Sequence, residues 1–515
     1  MTKVNSYDAI IVGSGIGGLA AAAVLARVKK YRVLVLEQHF KLGGFTHTFQ
    51  RPGGYHWDVG LHYVGEMEPG SPLRKAMDFI TGGQVDWIKM KDPFETFLYP
   101  GLRFEVPSDR ELYLKKLSAL FPMESSGLRD YFNDLDKADA TLKSLSNGAD
   151  HTQDELILQS LRFYLESHFK DERLRGLLAS QWGNYGLPPR SASFGIHATI
   201  IRHYLKGGYY PIGSAARLAS SVSTLIQGAR GDLRVRNRVV RVMVENDKAM
   251  GVEVENSRGR ELILAPEIYS NAGAVATYGK LVADQHVGWK EKEELESTST
   301  YGVVTLYLGL KSRCEHLGIH GQNFWIYDSF DHDSIWERRN ALVEGSPSSC
   351  YLSFPGIKDP SALKPTAEII APLDYDVFRS WVGKLWRNRG SEYEAMKNRI
   401  TEALLDFVES RLPGFRAEVA YAELSTPLTV ESFTGHREGG IYGFPGIARR
   451  YGLKSLRPRT PLKGLVLVGA DAGSLGIAGS MMSGIMGVAT QHGMGILFKV
   501  LTVNPFVLSD KLEKV

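Results

Sequence analysis

The chain has 515 residues, of which 43% are hydrophobic and 23% charged, and its formal net charge is +4. This length predicts two or more interleaved domains, and the composition is that of a globular protein. The small charge excess gives no reason to expect a nucleic-acid partner, although it would not repel an anionic membrane surface. Cys314 and Cys350 are the only cysteines and form no CxxC pair, which excludes a disulfide scaffold and structural zinc and favours a reducing, intracellular compartment.

Residues 8–44 predict a buried strand, a glycine-rich turn, an alanine-rich helix and a second strand that ends in an acid. Gly13 suits the tight turn, Gly15 lets the backbone approach a pyrophosphate, and Gly18 allows the helix to pack closely on the strand. The helix N-terminus offers free N–H groups to phosphate, and the Glu37 carboxylate can accept both ribose hydroxyls of an adenosine. A lone GxGxxG is weak evidence, but this context predicts a dinucleotide-binding site.

The next segment, 53–65, contains so many glycines that we predict an irregular loop lying on a ligand. A hairpin is predicted over 97–106, where Pro100 and Gly101 form the turn, and a helix is predicted from about Arg110. A capping box of Thr152 and Glu155 then begins a helical block that extends to about Tyr204.

A second group of strands follows the glycine-rich segment 207–214 and an apolar helix. Residues 233–236, 239–244, 251–254 and 261–264 alternate as in a β-meander, and 268–273 resembles a strand entering a tight turn. At this turn we expect the chain to return to the nucleotide-binding domain.

The third part of the chain supplies another set of apolar strands. These are predicted at 303–310, 351–354, 369–371 and 419–424, with an amphipathic helix over 392–412, as in a sheet backed by helices that walls a substrate chamber. Residues 465–468 then form a strand that enters a glycine-rich turn and an apolar helix.

Two uncharged stretches, 9–26 and 472–491, are long enough to suggest membrane spans. Several glycines interrupt each stretch and each adjoins a nucleotide-type turn, so neither is expected to cross a bilayer. No basic segment with a cleavage site precedes the first strand, so a secretory signal is not predicted either. We expect an intracellular protein that is cytoplasmic or bound at a membrane surface.

Several segments together resemble the flavin amine-oxidase and phytoene-desaturase superfamily, and within it the retinol saturases and carotenoid isomerases. The residues that carry this resemblance are the first glycine motif, Asp58–Tyr63, Gly186–Pro189 with Phe194 and His197, Gly207–Ser214 and Gly469–Asp471. The resemblance covers nearly the whole chain.

The resemblance implies an α/β fold, with a Rossmann-like FAD-binding domain of the GR2 type and an interleaved substrate domain of mixed sheet plus helices. The FAD-binding domain is expected to comprise residues 1–65, 206–280 and 436–515. The substrate domain is expected to comprise 66–205 and 281–435, including a helical lid or membrane-facing part. FAD is the implied cofactor, and no metal is expected.

The expected FAD-binding residues come from both ends of the chain and from its middle. The resemblance assigns Asp471 to the ribitol or to a phosphate-bound water, and backbone of Val239 and Val240 to the adenine. Glycine-rich backbone at 43–65 and 439–446 would surround the flavin ring. The full set is Gly13, Gly15, Ile16, Gly17, Gly18, Glu37, Gln38, Gly43, Gly44, Val239, Val240, Gly273, Gly469, Asp471 and Ala478.

Flavin exchanges hydride at N5, so reduction of a double bond also requires a proton donor. The candidates are Tyr63, His62, Tyr442 and His436, because each lies in a segment expected to border the flavin. Each also has a structural interpretation, as a packed aromatic ring or a hydrogen-bonded loop residue. His197 lies in an apolar helix, where a hydrogen-bonded core histidine is the favoured interpretation.

The substrate implied by the resemblance is a hydrophobic polyene or unsaturated lipid, such as a retinoid, a carotenoid or a fatty acyl chain. Arg190 and Arg202 are candidates to meet a carboxylate at the entrance, although solvated surface positions are favoured. Because such substrates dissolve in membranes, peripheral membrane association is expected, with a half-exposed apolar rim on residues 156–205 as the docking face.

Four functions remain open. The first is an FAD-dependent saturase or desaturase acting on carbon–carbon double bonds, and the second is a redox-neutral carotenoid cis-trans isomerase. The third is a non-catalytic escort protein for prenylated lipids with the same fold, against which the intact glycine motif argues, and the fourth is an amine oxidase. The sequence leaves open the electron donor or acceptor, the reacting bond and the oligomeric state.

Overall fold

A computed structural model describes residues 7–146, 154–298 and 300–503. In chain order its strands are β1 (Ala9–Val12), β2 (Val33–Leu36), β3 (Thr48–Arg51), β4 (Tyr55–Asp58), β5 (Trp87–Lys89), β6 (Glu95–Tyr99), β7 (Leu102–Val106), β8 (Tyr209–Pro211), β9 (Asp232–Arg234), β10 (Arg238–Glu245), β11 (Lys248–Asn256), β12 (Gly259–Leu264), β13 (Glu267–Ser270), β14 (Val303–Leu310), β15 (Asn323–Tyr327), β16 (Ser349–Ser353), β17 (Thr366–Pro372), β18 (Val419–Ser425) and β19 (Leu465–Leu467).

The α-helices lie between groups of these strands along the chain. They are α1 (Ile16–Val24), α2 (Pro72–Thr81), α3 (Arg110–Leu120), α4 (Ser125–Ser146), α5 (Glu155–Leu158), α6 (Leu161–His168), α7 (Glu172–Ala179), α8 (Phe194–Tyr204), α9 (Ala216–Gly228), α10 (Ala274–Ala276), α11 (Trp289–Glu296), α12 (His332–Glu337), α13 (Pro355–Lys358), α14 (Ser391–Glu409), α15 (Pro427–Thr434), α16 (Gly476–His492) and α17 (Gly495–Thr502).

A five-stranded parallel sheet in the order β19-β13-β1-β2-β9 brings together segments from the whole length of the chain. Every residue of β1 and β2 is buried, and the runs AIIV and VLVL are typical of parallel strands that are covered on both faces. Strand β9, which we expected in the meander, pairs with β2 in this sheet. The meander itself is confirmed as the three antiparallel strands β10, β11 and β12.

Helices from the two ends of the chain pack against each other above this sheet. A Cβ atom on Gly484 of α16 would lie 2.1 Å from the carbonyl oxygen of Gly17 in α1, so the two backbones meet where both helices carry glycine. Every residue of α1 is buried, and its apolar side chains join α2, α9 and α16 in one hydrophobic cluster. The predicted convergence of both ends on one nucleotide-binding unit is therefore present.

The second large sheet has seven strands in the order β18-β14-β17-β16-β15-β6-β7 and contains both parallel and antiparallel pairs. The hairpin predicted over 97–106 is confirmed as β6 and β7, and β15 was missed in the sequence. Helix α14 packs on one face of this sheet, and the helices between Arg110 and Tyr204 pack on the other. The predicted sheet backed by helices is confirmed.

The expectation of an irregular loop over 53–65 is wrong for its first part. Residues Tyr55–Asp58 form β4, which pairs with β3 through a turn at Gly53 and Gly54, both with positive φ. The Trp57 ring stacks on Phe49, and its Nε1 donates a 3.0 Å hydrogen bond to a carbonyl of β14. Tertiary packing of these rings therefore stabilises a hairpin that glycine content alone argues against.

The expected docking rim on residues 156–205 stays a prediction. Among the described residues of that range, Phe163 is the one large apolar side chain that is well exposed. The apolar faces of these helices turn inward onto the seven-stranded sheet.

Thr152 of the predicted capping box lies outside the described residues. The Asp154 carboxylate caps α5. The domain boundaries stay predictions, and α2, placed by them in the substrate domain, packs with the nucleotide-binding helices.

The uncharged stretches 9–26 and 472–491 fold as β1 with α1 and as α16 with the turn before it. Among the described helices, none has both the length and the apolar character needed to cross a bilayer.

Candidate active site

The glycine turn after β1 has the geometry that close backbone packing demands. Gly13 has a φ of +92°, which favours glycine. A Cβ atom on Gly17 would lie 2.7 Å from Cα of Gly469, and one on Gly18 would lie 2.2 Å from the carbonyl oxygen of Gly13. Gly18 thus has the predicted role in helix–strand packing, while Gly17 allows the turn after β19 to approach the N-terminus of α1.

Asn271, which sequence reasoning missed, lies among these glycines. It follows β13, and its backbone N–H donates a 2.8 Å hydrogen bond to the carbonyl of Val12. A Cβ atom on Gly15 would lie 2.7 Å from Asn271 Nδ2, and one on Gly469 would lie 2.3 Å from Oδ1. The Asn271 amide therefore lies beside the turn expected to hold the pyrophosphate, where it can donate to phosphate oxygen.

Glu37 directly follows β2, one residue beyond the predicted position at the strand end, and its carboxylate supports the turn. One oxygen accepts hydrogen bonds of 2.9 and 2.6 Å from the backbone and hydroxyl of Ser14, and the other accepts one of 2.8 Å from the His39 backbone. The Ser14 hydroxyl in turn accepts a 3.0 Å bond from the Gly43 N–H. Because a carboxylate offers about four acceptor positions and three are used here, Glu37 retains one position for a ribose hydroxyl.

Asp471 joins two loops. Its Oδ2 accepts a 2.6 Å hydrogen bond from the Ala274 N–H, and its Oδ1 accepts one of 2.7 Å from the Phe444 N–H. Arg450, buried and missed in the sequence, donates to the carbonyls of Phe444, Asp471 and Gly473. Asp471 therefore joins the turn at 273–274, which contains the predicted cofactor residue Gly273, to the predicted flavin loop at 439–446. Its role toward ribitol stays a prediction.

These segments line one continuous cavity of about 2270 Å³, whereas an ordinary ligand pocket has about 300–1,000 Å³. Gly18 and Gly469 pack behind its wall. The remaining predicted cofactor residues line it, namely Gly13, Gly15, Ile16, Gly17, Glu37, Gln38, Gly43, Gly44, Val239, Val240, Gly273, Asp471 and Ala478. The glycine cradle, the helix N-terminus and this volume fit an extended dinucleotide together with a substrate.

The other end of the cavity is walled by aromatic rings and by Tyr63. The Tyr63 hydroxyl donates a 2.5 Å hydrogen bond to Glu95 and accepts one of 2.9 Å from the Asn184 amide. Glu95 lies in β6, is fully buried, and also accepts hydrogen bonds from Trp325 Nε1 at 3.0 Å and from the Gln181 amide. Burial raises the pKa of Glu95 to about 7, against the opposing effect of these hydrogen bonds.

A buried lysine lies behind Tyr63. Lys358 Nζ donates hydrogen bonds of 2.9 Å to the His62 carbonyl, 2.5 Å to Asn323 Oδ1 and 2.7 Å to Ser353 Oγ. Burial lowers the pKa of Lys358 to about 7, while neighbouring carboxylates act in the opposite direction. Lys358 thus joins the segment that carries His62 and Tyr63 to two strands of the seven-stranded sheet.

His62 lines the cavity, with its Nδ1 atom 3.1 Å from Oε2 of the buried Glu368, although the two groups are not aligned as a hydrogen bond. Desolvation and the nearby Lys358 lower the pKa of His62 to about 3. The imidazole is therefore neutral at physiological pH, which makes His62 a weaker candidate proton donor than Tyr63.

The other two predicted donors are engaged by backbone carbonyls. The Tyr442 hydroxyl donates a 2.9 Å hydrogen bond to the carbonyl of Gly183, and its ring stacks on Tyr301 at 5.9 Å between centroids. His436 Nδ1 lies 2.9 Å from the Gly440 carbonyl and can only donate to it. Both residues line the cavity, but neither contacts a buried carboxyl group through these bonds.

The remaining polar candidates have structural partners. His197 is fully buried between the hydroxyls of Tyr131 and Tyr185, at 2.8 and 3.1 Å, as the core interpretation predicted. Arg202 is 33% exposed and lies 3.2 Å from both Glu66 and Asp139, so it is an ion-paired residue at the surface and not a free anion site.

Arg190 pairs with Glu337 at 3.0 Å on the exposed surface. Cys314 and Cys350 are buried free thiols. In the described part of the chain, no group of three or more His, Cys, Asp and Glu side chains could hold a metal ion.

The fold and the cradle define a dinucleotide-binding α/β protein that shares its architecture with solved amine oxidases. The solved structure of cyclohexylamine oxidase from Brevibacterium oxydans IH-35A superposes with a TM-score of 0.63 at 16% identity, covering 96% of this chain and 99% of that one. Residues 11–80 match the NAD(P)-binding Rossmann-like domain family. These similarities confirm the predicted α/β fold.

Curated relatives identify the family. All-trans-retinol 13,14-reductase of Macaca fascicularis is 32% identical over 94% of this chain and 85% of its own length. Prolycopene isomerase of Arabidopsis thaliana is 27% identical over 85% of this chain and 74% of its own. The chain therefore belongs to the phytoene desaturase, carotenoid isomerase and retinol saturase-like family, as the sequence motifs predicted, and its cofactor is FAD.

Proposed function

We propose that this protein reduces a carbon–carbon double bond of a hydrophobic polyene, with a retinoid as the first candidate. The observation that carries the proposal is the single cavity, which extends from the glycine cradle to an aromatic chamber that contains the Tyr63 hydroxyl. The relative named a retinol reductase shares more sequence with this chain than the relative named an isomerase, which favours reduction over isomerisation.

When bound, FAD supplies hydride transfer at N5. The chain must then exclude water and deliver a proton to the neighbouring carbon, and we assign this role to Tyr63. When Glu95 is protonated it donates to the Tyr63 oxygen, which leaves the phenol proton free to turn toward the cavity. After that proton leaves, the Asn184 amide and Glu95 both stabilise the phenolate oxygen, and Glu95 can return a proton to it.

We also propose that the protein is intracellular and takes its substrate from a membrane surface. Two buried free thiols suit a reducing, intracellular compartment, and a substrate soluble in lipid would be taken from a membrane surface. The reacting bond and the electron donor are left to experiment. The escort function is disfavoured because the cradle glycines and Glu37 are all in place.

The test is an anaerobic incubation of the purified, FAD-loaded and chemically reduced protein with retinoids, carotenoids and unsaturated fatty acids. Reduction predicts reoxidation of the flavin absorbance together with a mass gain of about two daltons, from one hydride and one proton. An isomerase would change retention time without a change of mass. Failure of every polyene to reoxidise the flavin or to change in structure would contradict the proposal.

A further inference from the structure

An exposed loop with large apolar side chains lies between Trp381 and α14. Val382, Leu385 and Trp386 in this loop are 46%, 75% and 39% exposed. Lys384 and Arg387 are also exposed, and the Arg387 guanidinium lies 4.3 Å from the centroid of the Trp386 ring. We call residues 382–387 the entrance loop.

Aromatic rings connect the entrance loop to the nucleotide-binding unit. The Trp386 ring meets the Phe433 ring edge-on at 5.1 Å between centroids, and Phe433 meets Phe40 at 6.1 Å. Phe40 follows Glu37 closely in the sequence and is 47% exposed, next to the His39 ring at 4.1 Å. The apolar surface is therefore continuous across two parts of the chain.

This surface surrounds an opening of the cavity. Phe40, Trp386, Arg387 and Phe433 all line the cavity and are also partly or fully accessible from outside. A soluble protein rarely exposes several large apolar side chains side by side without a binding role. Here they lie where an apolar substrate would enter.

We propose that the entrance loop and Phe40 insert into the interface of an anionic lipid bilayer, so that the cavity opens toward the lipid. The inference rests on the proposed function only in taking the entering molecule to be lipid-soluble. It locates the docking surface at residues 40 and 382–387, on the side of the molecule where the cavity opens, and not on the helices at 156–205.

The chemistry of the loop favours lipid over a protein partner. Residues 382–390 contain Lys384, Arg387 and Arg389 and no acidic residue, and the exposed apolar side chains alternate with the two exposed cations. Tryptophan and basic residues are favoured together at the headgroup level, where the ring is half-buried and the cations meet anionic headgroups. Few side chains are involved, so the binding would be reversible.

The experiment is flotation of the full-length holoprotein with substrate-free vesicles of phosphatidylcholine, with and without phosphatidylserine. We expect the wild type to float with the anionic vesicles and L385S/W386S to remain unbound. We expect K384E/R387E to lose affinity by about fivefold for each removed cation, and more through repulsion. The matched control is L363S/M123S, because Leu363 and Met123 are each 94% exposed elsewhere on the surface.

Wild-type flotation that survives in L385S/W386S, or that is lost equally in L363S/M123S, would overturn the proposal. Loss in F498S, which alters an exposed residue of α17, with retention in L385S/W386S would assign docking to the last helix instead. Self-association of the wild type through this surface, without vesicle binding, would also overturn it. Empty vesicles report on docking whatever the enzyme reduces, so failure here is distinct from failure of the proposed reaction.

A second measurement separates docking from chemistry. V382S/L385S alters two exposed residues of the entrance loop that do not line the cavity. It should keep wild-type turnover of substrate dispersed in detergent and lose turnover of substrate held in anionic vesicles. Equal activity of this variant on both preparations would contradict a role of the entrance loop in substrate uptake.

Discussion

The Tyr63 hydroxyl donates a 2.5 Å hydrogen bond to the fully buried Glu95 carboxylate. Tyr63 lies in the segment that follows the β3–β4 hairpin, and Glu95 lies in β6 of the seven-stranded sheet. The bond therefore joins the segment after the β3–β4 hairpin to the seven-stranded sheet. Burial of an acid without a partner cation in hydrogen-bond contact is costly, which argues for a functional reason to keep Glu95 there.

Y63F tests the proton donor. The substitution keeps the ring and removes the hydroxyl, so we expect the rate of flavin reoxidation by substrate to fall by about 100-fold, with the substrate Kd and flavin content nearly unchanged. Single-turnover absorbance at saturating substrate measures this rate. Y442F is the matched control, because the Tyr442 hydroxyl bonds only a backbone carbonyl in the described contacts. A rate for Y63F within twofold of that of Y442F would contradict the assignment.

The pH profile tests Glu95. Because burial raises the pKa of Glu95 to about 7, the group carries its proton below that pH and loses it above. Only the protonated form leaves the phenol proton free, so turnover should decline as the pH rises through about 7. E95Q cannot ionise, and its profile should be flat in this range, at a lower rate because it cannot return a proton. An unchanged pH dependence in E95Q would refute the role of this carboxyl.

Lys358 provides a second check on the same profile. Its positive charge lowers the pKa of Glu95, so K358M should move the decline in turnover to higher pH. The variant removes three hydrogen bonds that join the His62 segment to the seven-stranded sheet, one to the His62 carbonyl and two to side chains of the sheet, and a lower Tm is expected as well. A shift of the profile toward lower pH would contradict the electrostatic reasoning whatever happens to the Tm.

The sequence was sufficient to predict the nucleotide-binding unit because its signals are local. Gly13, Gly18 and Glu37 occupy one short βαβ segment, where the spacing alone dictates which groups meet. The predicted cofactor residues accordingly fall on one cavity or directly behind it. Asn271 was not predicted because its contact with the glycines depends on parallel pairing of β1 with β13, and no short sequence motif indicates that pairing.

The row of buried polar residues behind Tyr63 could not be predicted for a similar reason. Asn323 pairs with Glu95 across β15 and β6, and Ser353 pairs with Glu368 across β16 and β17, so one polar row crosses four strands. In the sequence these residues lie far apart, and each is a single polar residue in an apolar run. Such a pattern is also expected for a strand at the edge of a sheet, so it does not identify a buried polar row. The β4 strand and the exposed entrance loop likewise depend on tertiary packing that local composition does not encode.

Glycine substitutions test the cradle. A Cβ atom on Gly17 would approach backbone atoms of Gly469 and Ser480 to 2.7 and 2.8 Å, and these atoms cannot move independently. G17A should therefore lower the Tm and abolish flavin retention, and G15V, whose side chain would meet Asn271, should also lose the flavin. G228A is the control, since nothing lies within 4 Å of a Cβ atom there. Yellow, stable G17A or G15V protein would contradict the predicted cradle.

N271D tests whether the Asn271 amide faces the pyrophosphate. The exchange preserves shape but replaces a donor with a negative charge beside the turn expected to hold phosphate. Repulsion of about 1–4 kcal/mol between unit charges near 4 Å predicts a rise of at least about fivefold in the Kd for FAD. The Tm of the apoprotein should change little, because no described hydrogen bond of the folded chain uses this amide. Titration of apoprotein with FAD, followed by quenching of flavin fluorescence, measures the affinity.

Added salt should partly restore FAD binding to N271D by screening the repulsion, whereas a purely steric defect would not respond to salt. Wild-type affinity of N271D for FAD would show that the amide lies away from the phosphates.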